Sequence, residues 1–98
     1  MEKHMREVSK HTENREYSAL MLAYLFWQVT DYIAHTNKAD IFRYLYLTPN
    51  HLNENYLKIS LKFNVTVRTL ERYRKTYVIS FKATRLLLDT YIVLSKVA

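Results

Sequence analysis

The chain contains no glycine among its 98 residues and only one proline. Loops that cradle phosphate groups, and the dinucleotide-binding fingerprint, need glycine so that the backbone can approach phosphate closely. This sequence can form neither the glycine-rich phosphate-binding loop nor the dinucleotide-binding fingerprint, so nucleotide-dependent chemistry that uses them is excluded. A tight turn that requires a positive φ must use another residue, and asparagine is the next most tolerant.

The size and composition of the chain are those of a single globular domain. A length of 98 residues lies at the low end of the range for single domains. The chain has 49% hydrophobic and 24% charged residues, whereas disordered chains combine low hydrophobicity with high charge. The absence of cysteine excludes disulfides and thiolate metal sites, and it is typical of a reducing compartment. We therefore expect one folded domain in the cytoplasm.

The first third of the chain is predicted to hold a flexible lead and a core helix. Residues 1–14 are polar and lack apolar periodicity, so we expect a frayed segment before a single helical domain over 15–98. Apolar residues recur at three- and four-residue steps from Tyr17 to Ile33, which predicts a core helix. Its apolar face is expected to consist of Tyr17, Leu20, Met21, Tyr24, Leu25, Val29 and Ile33, widened by Leu22, Phe26 and Trp27. The uncharged run between Glu16 and Asp31 has 14 residues, whereas a membrane span needs about 20. We expect no membrane contact, and the balanced charge of the lead disfavours a secretory signal.

A second helix is predicted after a short connection. Thr36 and Asn37 can cap it, and apolar residues with helical spacing follow as far as Tyr46. Pro49 disfavours helical backbone at the residue before it, so we expect this helix to end near Leu47.

A third helix is predicted to follow the proline. We expect it to begin between Pro49 and Asn53, with Thr48 or Asn50 as its cap, and to stop at Asn64.

Two more helical segments complete the prediction. The first runs from Val67 to Tyr77 and the second from about Phe81 to Val97, with the β-branched pair Val78 and Ile79 expected to bend the chain between them. The fold class is therefore all-α, a four- or five-helix bundle that contains a helix-turn-helix.

The segment from Tyr56 to Lys75 resembles the helix-turn-helix pattern. Ser60 has the small side chain that is needed where the two helices cross at close range. Asn64 lies where the turn needs a positive φ, which glycine usually supplies, and the Thr66 hydroxyl can cap the second helix. An ordinary helical hairpin, the alternative, does not require this combination at these offsets. We predict a helix-turn-helix over about residues 52–77.

The second helix of this motif is predicted to turn a basic face outwards. When Val65, Leu70 and Tyr73 face the core, the opposite side is the one that such a helix presents to the major groove of DNA. Its arginines are candidates for contacts to base edges and its threonines for contacts to phosphates. The candidate DNA-binding residues are Thr66, Val67, Arg68, Thr69, Glu71, Arg72, Arg74 and Lys75.

The positive charge of the chain is concentrated in its second half. Residues 1–49 are neutral overall, whereas residues 50–98 carry nine basic and three acidic groups, and hence the whole net charge of +6. Six of the nine basic groups lie between Lys58 and Lys75. A localised positive field attracts polyanions, so charge and motif together indicate double-stranded DNA as the partner. A solvated basic face without a partner is the alternative.

The stretch from Asn64 to Phe81 is similar to the C-terminal module of phage-type regulators of the ArpU and RinA kind, which resemble region four of sigma factors. The similarity lies in the string Arg-Thr-x-x-Arg-Tyr-Arg-Lys at 68–75, the aromatic residue at Phe81 and the apolar-aromatic segment Ile41 to Leu47. It covers about half of the chain. The resemblance implies control of transcription of phage or mobile-element genes.

Residues for other chemistries are scattered. The four histidines share no metal-binding spacing in a segment expected to be ordered, so we predict no metal. Asp31 and Asp40 are too isolated to argue as a carboxylate pair, and Ser60 is better explained by packing than as a nucleophile. We expect no catalytic residue, no cofactor and no enzymatic activity.

Two classes of function remain open. One is a sequence-specific DNA-binding regulator; the other is an adaptor that binds RNA polymerase or another regulator without touching DNA. The helices around Tyr17 to Ile33 and Phe81 to Val97 offer more apolar surface than a short helix-turn-helix core needs. We therefore predict a homodimer, with a compact monomer as the alternative.

Overall fold

The computed structural model describes residues 1–48 and 55–97 of the chain. Within these residues the backbone forms helices and no strand, so the predicted all-α class is confirmed. The elements are α1 (Glu2–Val8), α2 (Arg15–Ala34), α3 (Lys38–Phe42), a π-helical turn (Arg43–Leu47), α4 (Tyr56–Lys62) and α5 (Val67–Val97). None of the helices in this part of the chain is both long enough and apolar enough to cross a lipid bilayer.

The helix α2 contacts α1, α3 and α5 and agrees with the helix predicted over Tyr17 to Ile33. Asn14 caps it, since its side chain accepts a hydrogen bond from the backbone N–H of Glu16 at 2.9 Å. One side of α2 is buried in the core through Ala19, Leu20, Ala23 and Trp27. The expected core face is wrong at Leu25, Val29 and Ile33, which are at least half exposed, because α2 packs through its small alanines and not through the centre of its large apolar stripe.

The helix α3 is capped by a residue of the preceding helix. The Asp31 carboxylate accepts hydrogen bonds from the first two backbone N–H groups of α3, at 2.9 and 2.7 Å. The two expected caps have other partners, because Thr36 donates to Asp31 and the Asn37 amide donates to the carbonyl of Phe63 at 3.3 Å. The helical backbone continues through the π-helical turn and ends at Leu47, as predicted.

The helix α4 begins at Tyr56, and Asn55 is its cap. The Asn55 side chain accepts a hydrogen bond from the backbone N–H of Lys58 at 2.8 Å. The start that we predicted, between Pro49 and Asn53 with Asn50 as one cap, lies outside the described residues. The other expected cap, Thr48, instead donates its hydroxyl to the carbonyl of Arg43 at 3.0 Å.

The helix α5 is continuous over 31 residues, so the bend that we expected at Val78 and Ile79 is wrong. A β-branched residue disfavours a helix by only about 0.5 kcal/mol relative to alanine. The neighbours Tyr77 and Phe81 are fully buried, and burial of such side chains contributes about 1.5–3 kcal/mol each. Core packing on both sides of the β-branched pair therefore outweighs its local preference.

The expectation of a frayed lead over residues 1–14 is also wrong, because α1 is folded and packs on the domain. Met5 and Val8 are buried. The Glu2 carboxylate accepts hydrogen bonds from Nε and Nη2 of Arg74, at 3.0 and 2.6 Å, and from the hydroxyl of Tyr46 at 2.8 Å. Two apolar residues one turn apart are too few for a periodicity, and the ion pair that fixes α1 lies across the fold.

Burial and hydrogen bonding act in opposite directions on the Glu2 carboxyl. Burial raises its pKa, but the hydrogen bonds from Arg74 and Tyr46 outweigh that effect, so the pKa of Glu2 lies below its ordinary value. The side chains of Glu2 and Arg74 are only 22% and 20% exposed. The pair is therefore poorly screened by solvent, so removing one partner leaves a half-buried charge unpaired and is more destabilising than breaking an exposed pair.

We expect Glu2→Gln to lower the free energy of unfolding at pH 7 by about 1–3 kcal/mol, because it leaves a half-buried guanidinium without its carboxylate. Urea denaturation measures the change. The pKa of Glu2 is lowered by folding, so its contribution is complete above about pH 4.3, the ordinary glutamate value, and is lost as pH falls through the lower folded-state value. The stabilities of the parent and of Glu2→Gln should therefore converge in acid.

Glu7→Gln is the matched control for this prediction. The Glu7 side chain is 54% exposed and meets Lys10 at 3.5 Å, so its loss should change the free energy of unfolding by less than about 0.5 kcal/mol. Equal losses in the two variants would contradict a specific role of the ion pair between Glu2 and Arg74.

Candidate nucleic-acid interface

The helices α4 and α5 are joined by a turn that contains a left-handed residue. Asn64 has φ 54°, which confirms the positive φ predicted there. The N–H of Asn64 donates to the carbonyl of Leu61 at 3.3 Å, and the N–H of Val65 donates to the carbonyl of Ser60 at 3.0 Å. This pair of bonds is a Schellman motif, which satisfies the last carbonyls of α4 and turns the chain towards α5.

Ser60, the small residue expected where α4 and α5 cross, is buried. Ser60 is 3% exposed, and its hydroxyl donates within α4 to the carbonyl of Leu57 at 2.7 Å. Ile59 and Leu70, one from each helix, are buried in the core. The buried hydroxyl is therefore satisfied locally and leaves room for the partner helix.

The N-terminus of α5 is capped by Thr66, which confirms the predicted cap. The Thr66 hydroxyl accepts a hydrogen bond from the backbone N–H of Thr69 at 3.0 Å and donates to the Thr69 hydroxyl at 2.9 Å. Two threonine hydroxyls thus lie together at the positive end of the α5 dipole, where an anion is favoured.

One side of α5 carries exposed basic residues, and we call Arg68, Arg72 and Lys75 the basic face. Steps of four and three residues place them along one side of the helix. Among the described residues, no acidic group forms a salt bridge with any of the three. Glu71 is also exposed on this side, while Val67 and Thr69 are half-buried at its edges. The basic face is therefore available to an external anion.

Arg74 is placed differently from the other candidate DNA contacts. Its guanidinium binds Glu2, and its guanidinium carbon lies 3.9 Å from the ring centre of Tyr56. Burial lowers the pKa of Arg74, but the hydrogen bonds and charge of Glu2 outweigh burial and raise it. Of the eight candidate side chains, this one is held inside the protein, where it joins α1 to α5.

Lys82 is a candidate that the sequence reasoning missed. It is exposed and lies seven residues after Lys75, which is about two helical turns further along the same side of α5. We expected a bend before it, so its register with the basic face could not be inferred. The sequence would have revealed Lys82 if the helix had been predicted to continue across Val78 and Ile79, because Lys82 then lies on the same side as Lys75.

Comparison with known proteins does not assign the chain to a family. The chain matches no protein-family model, no curated protein and no solved structure with which it was compared. The interpretation as a helix-turn-helix therefore depends on the geometry of α4, the turn and α5. The resemblance to regulators of the ArpU and RinA kind stays a prediction.

We expect Asn64→Val to lower the free energy of unfolding by about 1–2 kcal/mol, because a β-branched residue is poorly suited to positive φ. Asn64→Gly should leave the stability unchanged or raise it slightly, since glycine adopts this φ without a steric clash. Urea denaturation of both variants measures the difference.

Lys82→Val serves as the control, because it places the same side chain at an exposed position inside α5. Lys82→Val should lower the free energy of unfolding by less than about 0.7 kcal/mol, the range of ordinary helix propensities. If Asn64→Val were as stable as the parent, the turn would not need its left-handed residue.

Proposed function

We propose that this chain is a sequence-specific transcriptional regulator that binds double-stranded DNA, with the first turns of α5 in the major groove. One arrangement carries the proposal: the buried small residue Ser60, the left-handed turn at Asn64 and the Thr66 cap directly precede a basic face that has no acidic partner among the described residues. In a helix-turn-helix, the N-terminal residues of the second helix contact base edges.

The residues of the basic face have separate roles in this proposal. Arg68 and Arg72 contact base edges, since arginine can bind guanine through two hydrogen bonds. Lys75 contacts phosphate, and the Thr69 hydroxyl donates to a phosphate oxygen at the N-terminus of α5 while it accepts the hydroxyl proton of Thr66. Neither arginine has an acidic partner among the described residues, so both are free of that part of the chain when they bind.

The proposed regulator needs neither cofactor nor metal and catalyses no reaction. It works in the cytoplasm, where its DNA is accessible, as a homodimer on phage or mobile-element genes. The last point follows from the resemblance of residues 64–81 to regulators of the ArpU and RinA kind.

The second candidate is an adaptor that binds RNA polymerase or another regulator without contacting DNA. Exposed aromatic side chains of α2 support it, because Phe26 is 54% exposed and Tyr32 is 84% exposed. Exposed apolar surface of this kind is typical of protein contacts. The two candidates differ in which surface binds the target, so variants and salt distinguish them.

We expect Arg68→Ala and Arg72→Ala each to weaken binding to a selected DNA site by about 1–3 kcal/mol, the usual contribution of a two-bond contact to guanine. Binding is measured by fluorescence anisotropy on a duplex obtained by selection with the purified protein. Lys96→Ala is the control, because it removes one positive charge from the same helix about 42 Å along its axis from Arg68. If both arginine variants kept their helical content and bound the duplex with the affinity of the parent, Arg68 and Arg72 would not contact base edges.

Salt dependence distinguishes the two candidates. Each phosphate that the protein neutralises lowers the logarithm of the affinity by about 0.9 per unit of log salt concentration. We expect a steep linear fall for DNA, with a slope that becomes shallower by about one in Lys75→Ala. No binding to any selected duplex, together with a salt-insensitive contact to RNA polymerase, would favour the adaptor.

A further inference from the structure

The side of α2 that points away from the core is apolar and exposed. Its exposed side chains range from 44% exposed at Leu22 to 84% at Tyr32. Contiguous apolar surface of this kind is rare on proteins that remain monomeric. We call these residues the α2 face: Leu22, Leu25, Phe26, Val29, Tyr32 and Ile33.

The α2 face has the spacing of a helix-packing seam. Leu22, the adjacent pair Leu25 and Phe26, Val29 and the adjacent pair Tyr32 and Ile33 succeed one another every three to four residues, so together they form a stripe along one side of the helix. The stripe covers 12 residues, or about 17 Å of helix at 1.5 Å per residue. A straight apolar stripe of this length fits a second helix lying alongside it.

The absence of charge on the α2 face indicates what kind of partner covers it. The chain carries a net charge of +6, so two copies repel each other through most of their surface. The charged residue within the span from Leu22 to Ile33 is Asp31, and its carboxylate caps α3, so copies that meet through the α2 face bring no like charges together there. A helix that lies on a membrane usually has lysine and arginine on its polar side, and this stretch has neither.

The area of the α2 face is of the order that a stable dimer requires. A specific interface buries about 800 Å² on each partner. Phe26 and Tyr32 are 54% and 84% exposed, and a covered aromatic side chain buries about 150–250 Å². The four aliphatic side chains of the face add to this area, with exposures between 44% and 72%.

The exposed apolar residues of α5 do not form a comparable surface. The exposed apolar residues Leu86, Leu87, Val93 and Leu94 share their stretch of α5 with Asp89, which pairs with Arg15 at 2.9 Å. Lys82 and Lys96 lie beyond the two ends of this stretch. A second copy seated there would therefore bring charged side chains of like sign together, which the α2 face avoids.

We propose that the α2 face is the contact surface for a second copy of this chain. In a two-fold pair each α2 packs against the α2 of the other copy, so the same apolar stripe supplies both sides of the interface. The helix α2 runs antiparallel to α5, because Ala19 contacts Thr84 and Trp27 contacts Ser80 and Tyr77. The C-terminal end of the α2 face therefore lies level with the start of α5.

This placement gives the dimer a role in DNA reading, a step that rests on the proposed function. Two chains joined through α2 carry two basic faces in one particle. Half-sites of a palindromic operator lie about 34 Å apart, one turn of DNA, and a two-fold dimer can engage both.

The test compares two matched substitutions in the full-length chain. Val29, in the middle of the α2 face, and Val93, on α5, are 59% and 60% exposed, so glutamate is accommodated at either position without opening the core. Circular dichroism verifies folding, and analytical ultracentrifugation without DNA measures the mass over a micromolar concentration series.

We expect the parent to sediment as a dimer and Val29→Glu to raise its dissociation constant by at least about tenfold, because the dimer would hold two glutamates close together. Val93→Glu should change the constant by less than about twofold. A monomeric parent at high micromolar concentration, an unchanged dimer in Val29→Glu, or an equal loss in Val93→Glu would overturn the proposal.

The outcome is separable from that of the proposed function. A dimer that binds no selected duplex would remove the DNA-binding function and keep the interface. A monomer that binds DNA would remove the interface alone. A monomer that instead binds lipid vesicles through Val29-dependent contacts would overturn the proposal in favour of a membrane.

Discussion

The fold depends on the burial of one side chain, Tyr77, in the middle of α5. Its ring packs edge-on against Trp27 of α2, Phe42 of α3 and Tyr46 of the π-helical turn, with ring centroids 5.4, 5.2 and 5.9 Å away. Its hydroxyl donates to the carbonyl of Lys38 at 2.8 Å, so burial leaves no polar atom unsatisfied, and burial raises the pKa of the phenol. Each aromatic pair contributes about 0.5–1.5 kcal/mol beyond the burial itself.

This anchor also determines which way the basic face points. Arg68 lies nine residues before Tyr77, about two and a half turns, so the two side chains lie on opposite sides of α5. Because α5 has no break between them, the rotation that buries Tyr77 exposes Arg68. The core thus orients the basic face before any ligand arrives, which reduces the ordering that binding requires.

The features that the sequence predicted correctly are those encoded within a few residues. The turn at Asn64 and the cap at Thr66 each depend on the residue itself and on backbone groups one to three positions away. The helix from Tyr17 to Ile33 repeats its apolar pattern over several turns, so its existence follows from spacing, whereas its buried side does not, because Leu25, Val29 and Ile33 are exposed. Local rules suffice in these cases because the partner of each group lies nearby in sequence.

The features that were missed depend on partners elsewhere in the chain, and Arg74 is the clearest case. Its string Arg-Tyr-Arg-Lys holds three basic residues, and composition alone does not tell which of them faces inwards. Because we expected a bend after Tyr77, the side of α5 that faces the core could not be extended from its second half to Arg74. Glu2, the partner of Arg74, lies 72 residues away in a segment that we expected to be frayed. For Arg74 to reach a phosphate, it would have to leave the Glu2 carboxylate half-buried and unpaired, which is unfavourable. The proposed base contacts are therefore assigned to Arg72 and to Arg68, one turn before it, and not to Arg74.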